Sequence, residues 1–385
     1  MRRLLIVFVS ALLCAGCMHS KNLDEYAYVL NVGVERGTTM PYLVTLLVSV
    51  PGAGTDGTEV NNVVIAAEAR TFSEAAETLN AAYPSRLSFA RASLLLLSEE
   101  LVREGAQSEF LDFSFGKPDL WQNLRVAVTD GPIRETFEGW TSDSDPSLRK
   151  IKTSVGELAE RSGLCADIGY STYLECVRDG RIDALLAYAG VNDWNLREDM
   201  AGGDAYPYLG GALLVESTLK TTTAGSAVFD GARMVGVLDG QHTMAVLMMT
   251  DAFRSGELLC TLPDGRTMSV KLHRARRPRM QWTGEGMRAE LYLEADVISP
   301  QTVPMTSEEC KAFLESHLEQ MLVRVFTALR GANSDAMGFG RLAAKRFTTV
   351  EAWEAYDWKA AYRTLSVTFS VHIRLAHNPR EPILE

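Results

Sequence analysis

Two cysteines close to the start of the chain have the spacing of reactive sulfur chemistry. Cys14 and Cys17 are separated by one alanine and one glycine. A Cys-x-x-Cys pair suits a redox site when it lies in a thioredoxin-like βαβ unit, and it suits half of a zinc site when a second ligand pair follows. Neither context accompanies this pair in the sequence. A processing site, at which the chain is cleaved and a thiol is modified, is therefore the leading interpretation.

The residues in front of Cys17 have the layout of an export signal. Two arginines follow the first methionine, Leu4–Leu13 is apolar but short for a bilayer span, and small residues come next. This resembles the lipobox of bacterial lipoproteins, in which the cysteine receives a diacylglyceryl group, although Cys14 stands where leucine is usual. We expect residues 1–16 to be removed and Cys17 to carry the lipid, with palmitate among its acyl chains. A plain cleaved signal and an uncleaved anchor are the alternatives.

The composition indicates a globular, acidic protein. The 385 residues are 46% hydrophobic and 23% charged, and the formal net charge is −11. This length predicts two or three domains, and the negative charge disfavours non-specific binding to nucleic acid. No second apolar run approaches the roughly 18 residues of a spanning helix. Two acyl chains meet the usual requirement for lasting membrane attachment, so we expect a globular body tethered by Cys17.

Four further cysteines stand at positions 165, 176, 260 and 310. They are too few to act as a disulfide scaffold for an exported chain of this size. Cys165 and Cys176 are close enough in sequence for a bridge, whereas buried thiols are the other interpretation for all four. The sequence leaves both states open.

The motifs of common enzymes and metal sites are absent from the sequence. The six histidines are scattered, and no HExxH, nucleophile elbow, P-loop or dinucleotide fingerprint occurs. His317 lies on the apolar side of a predicted helix and is interpreted as a core histidine. Asp143 and Asp145 resemble part of a calcium loop, but the required glycine is replaced by Leu148, so we interpret them as turn and cap residues. We predict no catalytic, cofactor-binding or metal-binding residues.

One segment is strongly basic. The stretch KLHRARRPRM contains Lys271, Arg274, Arg276, Arg277 and Arg279. Such a cluster could contact anionic lipid headgroups, at roughly 1 kcal/mol per charge near the membrane surface. The alternative is a strand that leads into a solvated loop, and this is the interpretation we favour.

Aromatic residues are concentrated in the segment WEAYDWKAAYRT. They are Trp353, Tyr356, Trp358 and Tyr362. A sugar-stacking platform would need exposed rings, whereas aromatics spaced by two to four residues beside a strand usually pack in a core. We predict packing.

The first half of the chain predicts alternating strands and helices. Strand-like runs at 42–50 and 63–67 flank a Gly- and Thr-rich loop and indicate a hairpin, and Thr71 caps a helix that Pro84 ends. The polar stretch VNDWNLREDMAGGDAYPY indicates a domain boundary. We therefore expect an N-terminal region at 17–200 and a C-terminal region at 201–385, within which 201–265 could form a separate middle subdomain.

The last third has the clearest patterns. MRAELYLEADV alternates apolar and polar residues as a half-buried strand does. Thr306 and Glu309 form a capping box for a helix over Ser307–Arg330 that has an apolar stripe, and a second alternating strand covers Leu365–Arg374. The segment Met244–Met249 fits either a strand or a helix. The predicted fold class is α+β, multi-domain, with mostly antiparallel sheets, packed helices and a long helix on an antiparallel sheet in the C-terminal domain.

Several stretches together resemble one protein family. LDEYAYVLNVGVERGTTM follows the lipobox, GSAVFDGARMVGVL covers Gly225–Leu238, DAMGFGRLAAKRF covers Asp335–Phe347, and Trp353 and Trp358 precede the last strand. In this order they resemble the Ger(x)C family, the lipoprotein subunit of nutrient germinant receptors in endospore-forming bacteria.

The resemblance implies a location, partners and a function. A member would lie on the outer face of the spore inner membrane and act with integral-membrane subunits of the A and B types in triggering spore germination. The family supplies no catalytic residue, so Cys17 alone is carried over as the lipid-bearing position. Neither the nutrient nor any small-molecule ligand is indicated. The alternative from another class is a lipid-tethered solute-binding protein or cell-envelope enzyme unrelated to germination.

Overall fold

The computed structural model describes residues 26–51, 60–112, 124–141, 159–191, 208–213, 221–284, 286–299 and 305–376. The strands are β1 (Tyr26–Arg36), β2 (Tyr42–Pro51), β3 (Val60–Ala69), β4 (Arg86–Ser88), β5 (Leu94–Ser98), β6 (Arg125–Thr129), β7 (Leu185–Val191), β8 (Thr221–Asp230), β9 (Arg233–Leu238), β10 (Ser255–Thr261), β11 (Thr267–Arg274), β12 (Arg279–Trp282), β13 (Met287–Ser299) and β14 (Val367–Leu375). The helices are α1 (Phe72–Ala82), α2 (Glu99–Glu104), α3 (Gln107–Asp112), α4 (Ile133–Thr141), α5 (Tyr170–Asp179), α6 (Gly240–Met249), α7 (Ser307–Gly331), α8 (Phe339–Ala344), α9 (Val350–Glu354) and α10 (Trp358–Arg363).

The first sheet contains β1 to β9 in the order β3-β2-β1-β5-β6-β7-β8-β9, with β4 beside β1. Its two ends are antiparallel hairpins, β2 with β3 and β8 with β9. Its centre is parallel, because β1, β5, β6 and β7 pair in the same direction. Parallel neighbours need crossover connections. The chain passes from β1 to β5 through the β2–β3 hairpin, α1 and β4, from β5 to β6 through the segment containing α2 and α3, and from β6 to β7 through the segment containing α4 and α5. The predicted hairpin and the helix capped by Thr71 are confirmed.

The second sheet is built around the long strand β13. On one side β13 pairs antiparallel with β11 and β12, and β11 pairs with β10. On the other side it pairs with β14, and this pair is parallel. Taking both sheets together, most of the described strand pairs are antiparallel, so the predicted α+β class is confirmed.

Helix α7 packs along β14, and most of its predicted apolar stripe is buried. Thr306 and Glu309 form the capping box at its start. Two further glutamates reach the outer edge of the strand: Glu319 Oε1 accepts the Val371 N–H at 2.9 Å, and Glu315 Oε1 accepts the Ile373 N–H at 2.8 Å. The helix therefore supplies acceptors to amide groups that have no strand partner on that side.

The two sheets share a continuous core. Helix α6 is buried almost along its whole length. It packs against β8 of the first sheet and against the helix α7. Leu185 and Val228 of the first sheet belong to the same buried cluster as Met248, Leu291 and the buried face of α7.

In chain order, residue 200 falls between two strands that pair in the first sheet, β7 and β8. β7 ends at Val191, and β8 and β9 extend the same sheet after Thr221. The division into regions 17–200 and 201–385, like the middle subdomain at 201–265, stays a prediction.

Candidate functional site

A cluster of polar and charged side chains lies where the two sheets meet. We call Asp183, Asp230, Asn333, Asp335 and Lys359 the junction. Asp183 lies two residues before β7 and Asp230 ends β8, so both are positioned by the first sheet. Asn333 and Asp335 follow α7, and Lys359 lies on α10. The junction therefore gathers residues more than 170 positions apart.

Asp183 connects the first sheet directly to the segment after α7 and to α10. Its side chain is 1% exposed. Oδ1 accepts the main-chain N–H of Gly231 at 2.8 Å, whereas Oδ2 accepts the N–H of Asp335 at 2.6 Å and contacts Lys359 Nζ at 2.5 Å. The main-chain N–H of Asp183 in turn donates to the carbonyl oxygen of Asp335. A buried carboxylate needs such partners, because an unpaired one would cost several kcal/mol.

Asp335 organises the start of α8. Oδ1 accepts the N–H groups of Gly338 and Phe339 at 3.1 and 2.9 Å, and Oδ2 accepts those of Gly340 at 2.6 Å and of the Trp358 indole at 3.1 Å. Burial raises the pKa of this carboxyl from 3.8 to about 7, against the lowering effect of the N–H donors. The Asp335 carboxylate is thus fully engaged by groups of its own chain.

The glycines of the DAMGFG stretch explain why this turn is possible. Gly338 has φ +82°, a conformation that favours glycine. A Cβ on Gly340 would lie 2.5 Å from the Arg181 carbonyl oxygen and 2.6 Å from Trp358 Nε1. Both positions therefore require glycine for the carboxylate of Asp335 to receive its hydrogen bonds.

Lys359 balances two carboxylates. Besides Asp183, its ammonium contacts Asp230 Oδ1 at 2.6 Å and the Asn333 carbonyl oxygen at 3.0 Å. Asn333 has φ +58° and donates from Nδ2 to Asp230 Oδ2 at 3.0 Å. Because the lysine side chain is 27% exposed, solvent screens part of this attraction. The arrangement fixes the turn after α7 against the end of β8.

The aromatic segment packs around the junction. Trp358 and Tyr362 are buried, and the Tyr362 hydroxyl donates to the Ser334 carbonyl oxygen at 2.8 Å. Trp353 and Tyr356 pack against the buried cluster that contains Trp358 and Tyr362. The Trp353 ring makes tilted contacts with the rings of Tyr356 and Trp358. The predicted packing role is confirmed.

Other residues singled out from the sequence lie apart from the junction. Cys17, Asp143 and Asp145 are outside the described residues. His317 is partly buried, stacks on Phe313 at 6.0 Å between ring centroids, and has a pKa lowered by burial. Within the described ranges, no group of three or more His, Cys, Asp or Glu side chains could hold a metal ion. The buried residues Cys165, Cys176, Cys260 and Cys310 are thiols, so in this structure Cys165 and Cys176 form no bridge.

The basic segment is partly neutralised. Arg274 and Arg277 each contact Asp251 at 3.0 Å, Arg276 lies 3.3 Å from the Tyr292 ring centroid, and Lys271 contacts a carbonyl oxygen. The structure adds two cations that the sequence analysis missed, Arg341 and Lys345, which share a cleft with Arg277 and Arg279. They were missed because more than sixty positions separate them from the basic segment, so no local pattern joins the two.

In the part of the chain that the structure describes, no helix is both long enough and apolar enough to cross a membrane.

Comparisons with known proteins identify relatives over most of the chain. Residues 19–189 match the family model described as spore germination protein N-terminal domain, and residues 224–378 match the one described as spore germination B3/GerAC like, C-terminal. The solved structure titled "Crystal Structure of the GerBC protein" is similar with a TM-score of 0.53 and 11% identity, over 93% of this chain and 100% of that chain. At this identity the match shows a shared fold. No curated protein sequence matches significantly.

Proposed function

The chain belongs to the Ger(x)C family of spore germination proteins, and on that premise we propose that it is the lipid-anchored, non-enzymatic subunit of a nutrient germinant receptor. In this proposal Cys17 carries the lipid, and the body lies on the outer face of the spore inner membrane. There it acts with integral-membrane subunits of the A and B types in triggering germination.

One observation carries the proposal. The first family domain begins at residue 19, two positions after Cys17, and the second follows in the family's order. The export signal and lipobox pattern therefore ends where the family body begins. This arrangement supports a body held close to the headgroups, because a short connection leaves it little reach.

The contacts at the junction favour a structural rather than a catalytic role for its charged groups. Acid–base catalysis needs a carboxylate or amine that can reach a substrate proton. At the junction the oxygens of Asp335 and Asp183 accept hydrogen bonds from the chain's own groups, and the Lys359 ammonium is directed at Asp183 and Asp230. These charges hold the turn after α7 and the helix α10 against the first sheet. A body of fixed shape, concentrated at a membrane by its tether, suits contact with membrane partners.

The experiment compares Cys17→Ala with Cys14→Ala, both expressed in an endospore-forming host. For the unchanged chain we expect recovery in the membrane fraction, a mature amino terminus at Cys17 that carries a diacylglyceryl group, and co-isolation with the integral-membrane subunits. Cys17→Ala should lose the lipid and most of the membrane association. Cys14→Ala should retain both, because residue 14 is removed with the leader.

Two outcomes would overturn the proposal. Mass spectrometry that shows an intact, unmodified amino terminus on the mature protein would remove the tether. Saturable binding or turnover of a small solute, without co-isolation of membrane subunits, would favour a lipid-tethered solute-binding protein or cell-envelope enzyme.

A further inference from the structure

A cleft of about 520 Å³ opens between the end of α6, the strand β12 and the helix α8. Its charged lining consists of Arg277, Arg279, Arg341 and Lys345, with Asp251 as the acidic residue. The chain as a whole has a formal net charge of −11. The local charge of this concave site is therefore opposite in sign to the net charge of the chain.

The acidic residue of the cleft is already occupied. Both carboxylate oxygens of Asp251 contact arginines, Oδ1 with Arg274 and Oδ2 with Arg277, each at 3.0 Å. Across the described residues, Arg341 and Lys345 make no salt bridge, and Arg279 makes none within 4.0 Å, so these cations are available to attract a ligand. Glu290, opposite Arg279 on β13, accepts the Tyr292 hydroxyl at 2.7 Å and remains a carboxylate. The hydroxyl and the nearby Arg279 both lower the pKa of Glu290, so this carboxylate offsets part of the Arg279 charge.

The protein positions these cations through regular structure. Arg279 begins β12, which is held in register on β13. Arg341 and Lys345 are four residues apart along α8 and its C-cap, a spacing that places them on one helix face. The first turn of α8 is fixed by the hydrogen bonds that Asp335 accepts from Gly338, Phe339 and Gly340. The junction thus sets the position of one wall of the cleft.

We propose that this cleft binds a phosphate-bearing anion. Guanidinium groups offer paired N–H donors that match phosphate oxygens, and an ammonium adds a point charge. The excess of cations suits a phosphate group better than a carboxylate, because a phosphate carries one charge as a diester and up to two as a monoester, and its oxygens can accept from several donors at once. The volume lies in the range of small-molecule sites, so it accommodates a phosphate together with an organic substituent. The phosphate could belong to a lipid headgroup or to a soluble compound, and the binding chemistry is the same for both. The inference stands on the cleft alone and does not require the tether.

The test titrates the full chain, in neutral detergent and at constant ionic strength, with four probes. These are inorganic phosphate, the short-chain lipid dihexanoyl phosphatidylglycerol, its zwitterionic counterpart dihexanoyl phosphatidylcholine, and acetate. Calorimetry measures Kd for the unchanged chain and for two double variants. R279Q/R341Q removes two cleft cations, and R134Q/R266Q removes two exposed arginines that lie elsewhere.

We expect the unchanged chain to bind phosphate or phosphatidylglycerol, and R279Q/R341Q to weaken that binding at least tenfold. R134Q/R266Q should leave Kd unchanged, and R279K/R341K should recover part of the affinity because it retains the charge but not the paired donors. Thermal unfolding checks that each variant is folded. Binding of phosphatidylglycerol at least tenfold tighter than phosphate would assign a lipid headgroup, and equal or tighter binding of phosphate would assign a soluble compound.

Three results would overturn the inference. They are no saturable binding of either phosphate probe, equal Kd values for R279Q/R341Q and R134Q/R266Q, and acetate or phosphatidylcholine binding as tightly as the phosphate probes.

Discussion

The ammonium of Lys359 lies 2.5 Å from a carboxylate oxygen of Asp183, so a helix near the end of the chain neutralises a buried charge of the first sheet. The contact spans 176 positions of sequence. It adds an ion pair, with the hydrogen bonds around it, to the apolar core that the last helices share with the first sheet.

Replacing Lys359 should destabilise the whole protein. Lys359→Met leaves Asp183 and Asp230 without their cation, and an uncompensated buried carboxylate is costly. Because the lysine is partly exposed, we expect a loss of roughly 2 kcal/mol in the free energy of unfolding, measured by urea denaturation. Lys311→Met is the control, since Lys311 is about half exposed and its contact to Glu315 is 3.8 Å long. Equal midpoints for the two variants would contradict the role of the junction.

The buried carboxyl of Asp335 should make stability depend on pH. Burial raises its pKa to about 7 from an ordinary value of 3.8. Between these values the folded state holds a proton that the unfolded state releases, so the free energy of unfolding should fall as pH rises from about 4 to about 7. The difference between the unchanged chain and Asp335→Asn, measured in urea at pH 5 and pH 8, isolates this contribution. We expect that difference to decrease by about 2 kcal/mol, and parallel pH profiles would contradict it.

Substitution by alanine should change the free energy of unfolding very differently at two glycines. In Gly340→Ala the new methyl group would meet the Arg181 carbonyl oxygen at 2.5 Å and the Trp358 indole nitrogen at 2.6 Å. We expect a loss of about 2 kcal/mol in the free energy of unfolding. Gly331 ends α7, and a Cβ there meets no atom of the described structure within 4 Å. Gly331→Ala should therefore be neutral or stabilise by about 0.5 kcal/mol. If Gly331→Ala destabilised the protein as much as Gly340→Ala, the steric explanation for Gly340 would be contradicted.

The buried thiols should be unreactive in the folded protein. Burial raises the pKa of Cys165, Cys176 and Cys260 to about 12, and it also raises that of Cys310. The thiolate is the reactive species, so a C14A/C17A chain should not react with Ellman's reagent at pH 8 until urea is added. All four thiols should then react. Rapid labelling without urea, or incomplete labelling with it, would contradict buried thiols that are not bridged.

The sequence predicts elements best where periodicity and end signals agree. Helix α7 was predicted to within one residue of its end, because a capping box and an apolar stripe indicate the same element. Met244–Met249 could not be assigned from its sequence, and it is the helical segment of α6 that is buried on all sides. A segment buried all round has no polar face, so its pattern does not distinguish a helix from a strand.

Pairing between distant strands could not be predicted. The parallel pair of β13 and β14 depends on where α7 and the helices after it return the chain, and alternation within each strand is the same for either direction. The parallel centre of the first sheet escaped prediction for the same reason.

Only part of the junction could be predicted from the sequence. Its DAMGFG stretch was noticed through resemblance to a family, but Asp183 and Lys359 look like ordinary surface charges in their local sequence. Their role arises from burial and from partners on other elements. The cleft cations on α8 were missed for a related reason, because charge clusters formed by folding leave no contiguous run.

The two glutamates of α7 that accept the amides of β14 have a consequence for molecules crowded side by side. An outermost strand with bare amides is a template on which a neighbouring polypeptide can extend the sheet, and such growth leads to aggregation. With Glu315 and Glu319 in place, that stretch of backbone is capped from within the same molecule. Copies that lie close together are thereby kept from joining through this edge of β14.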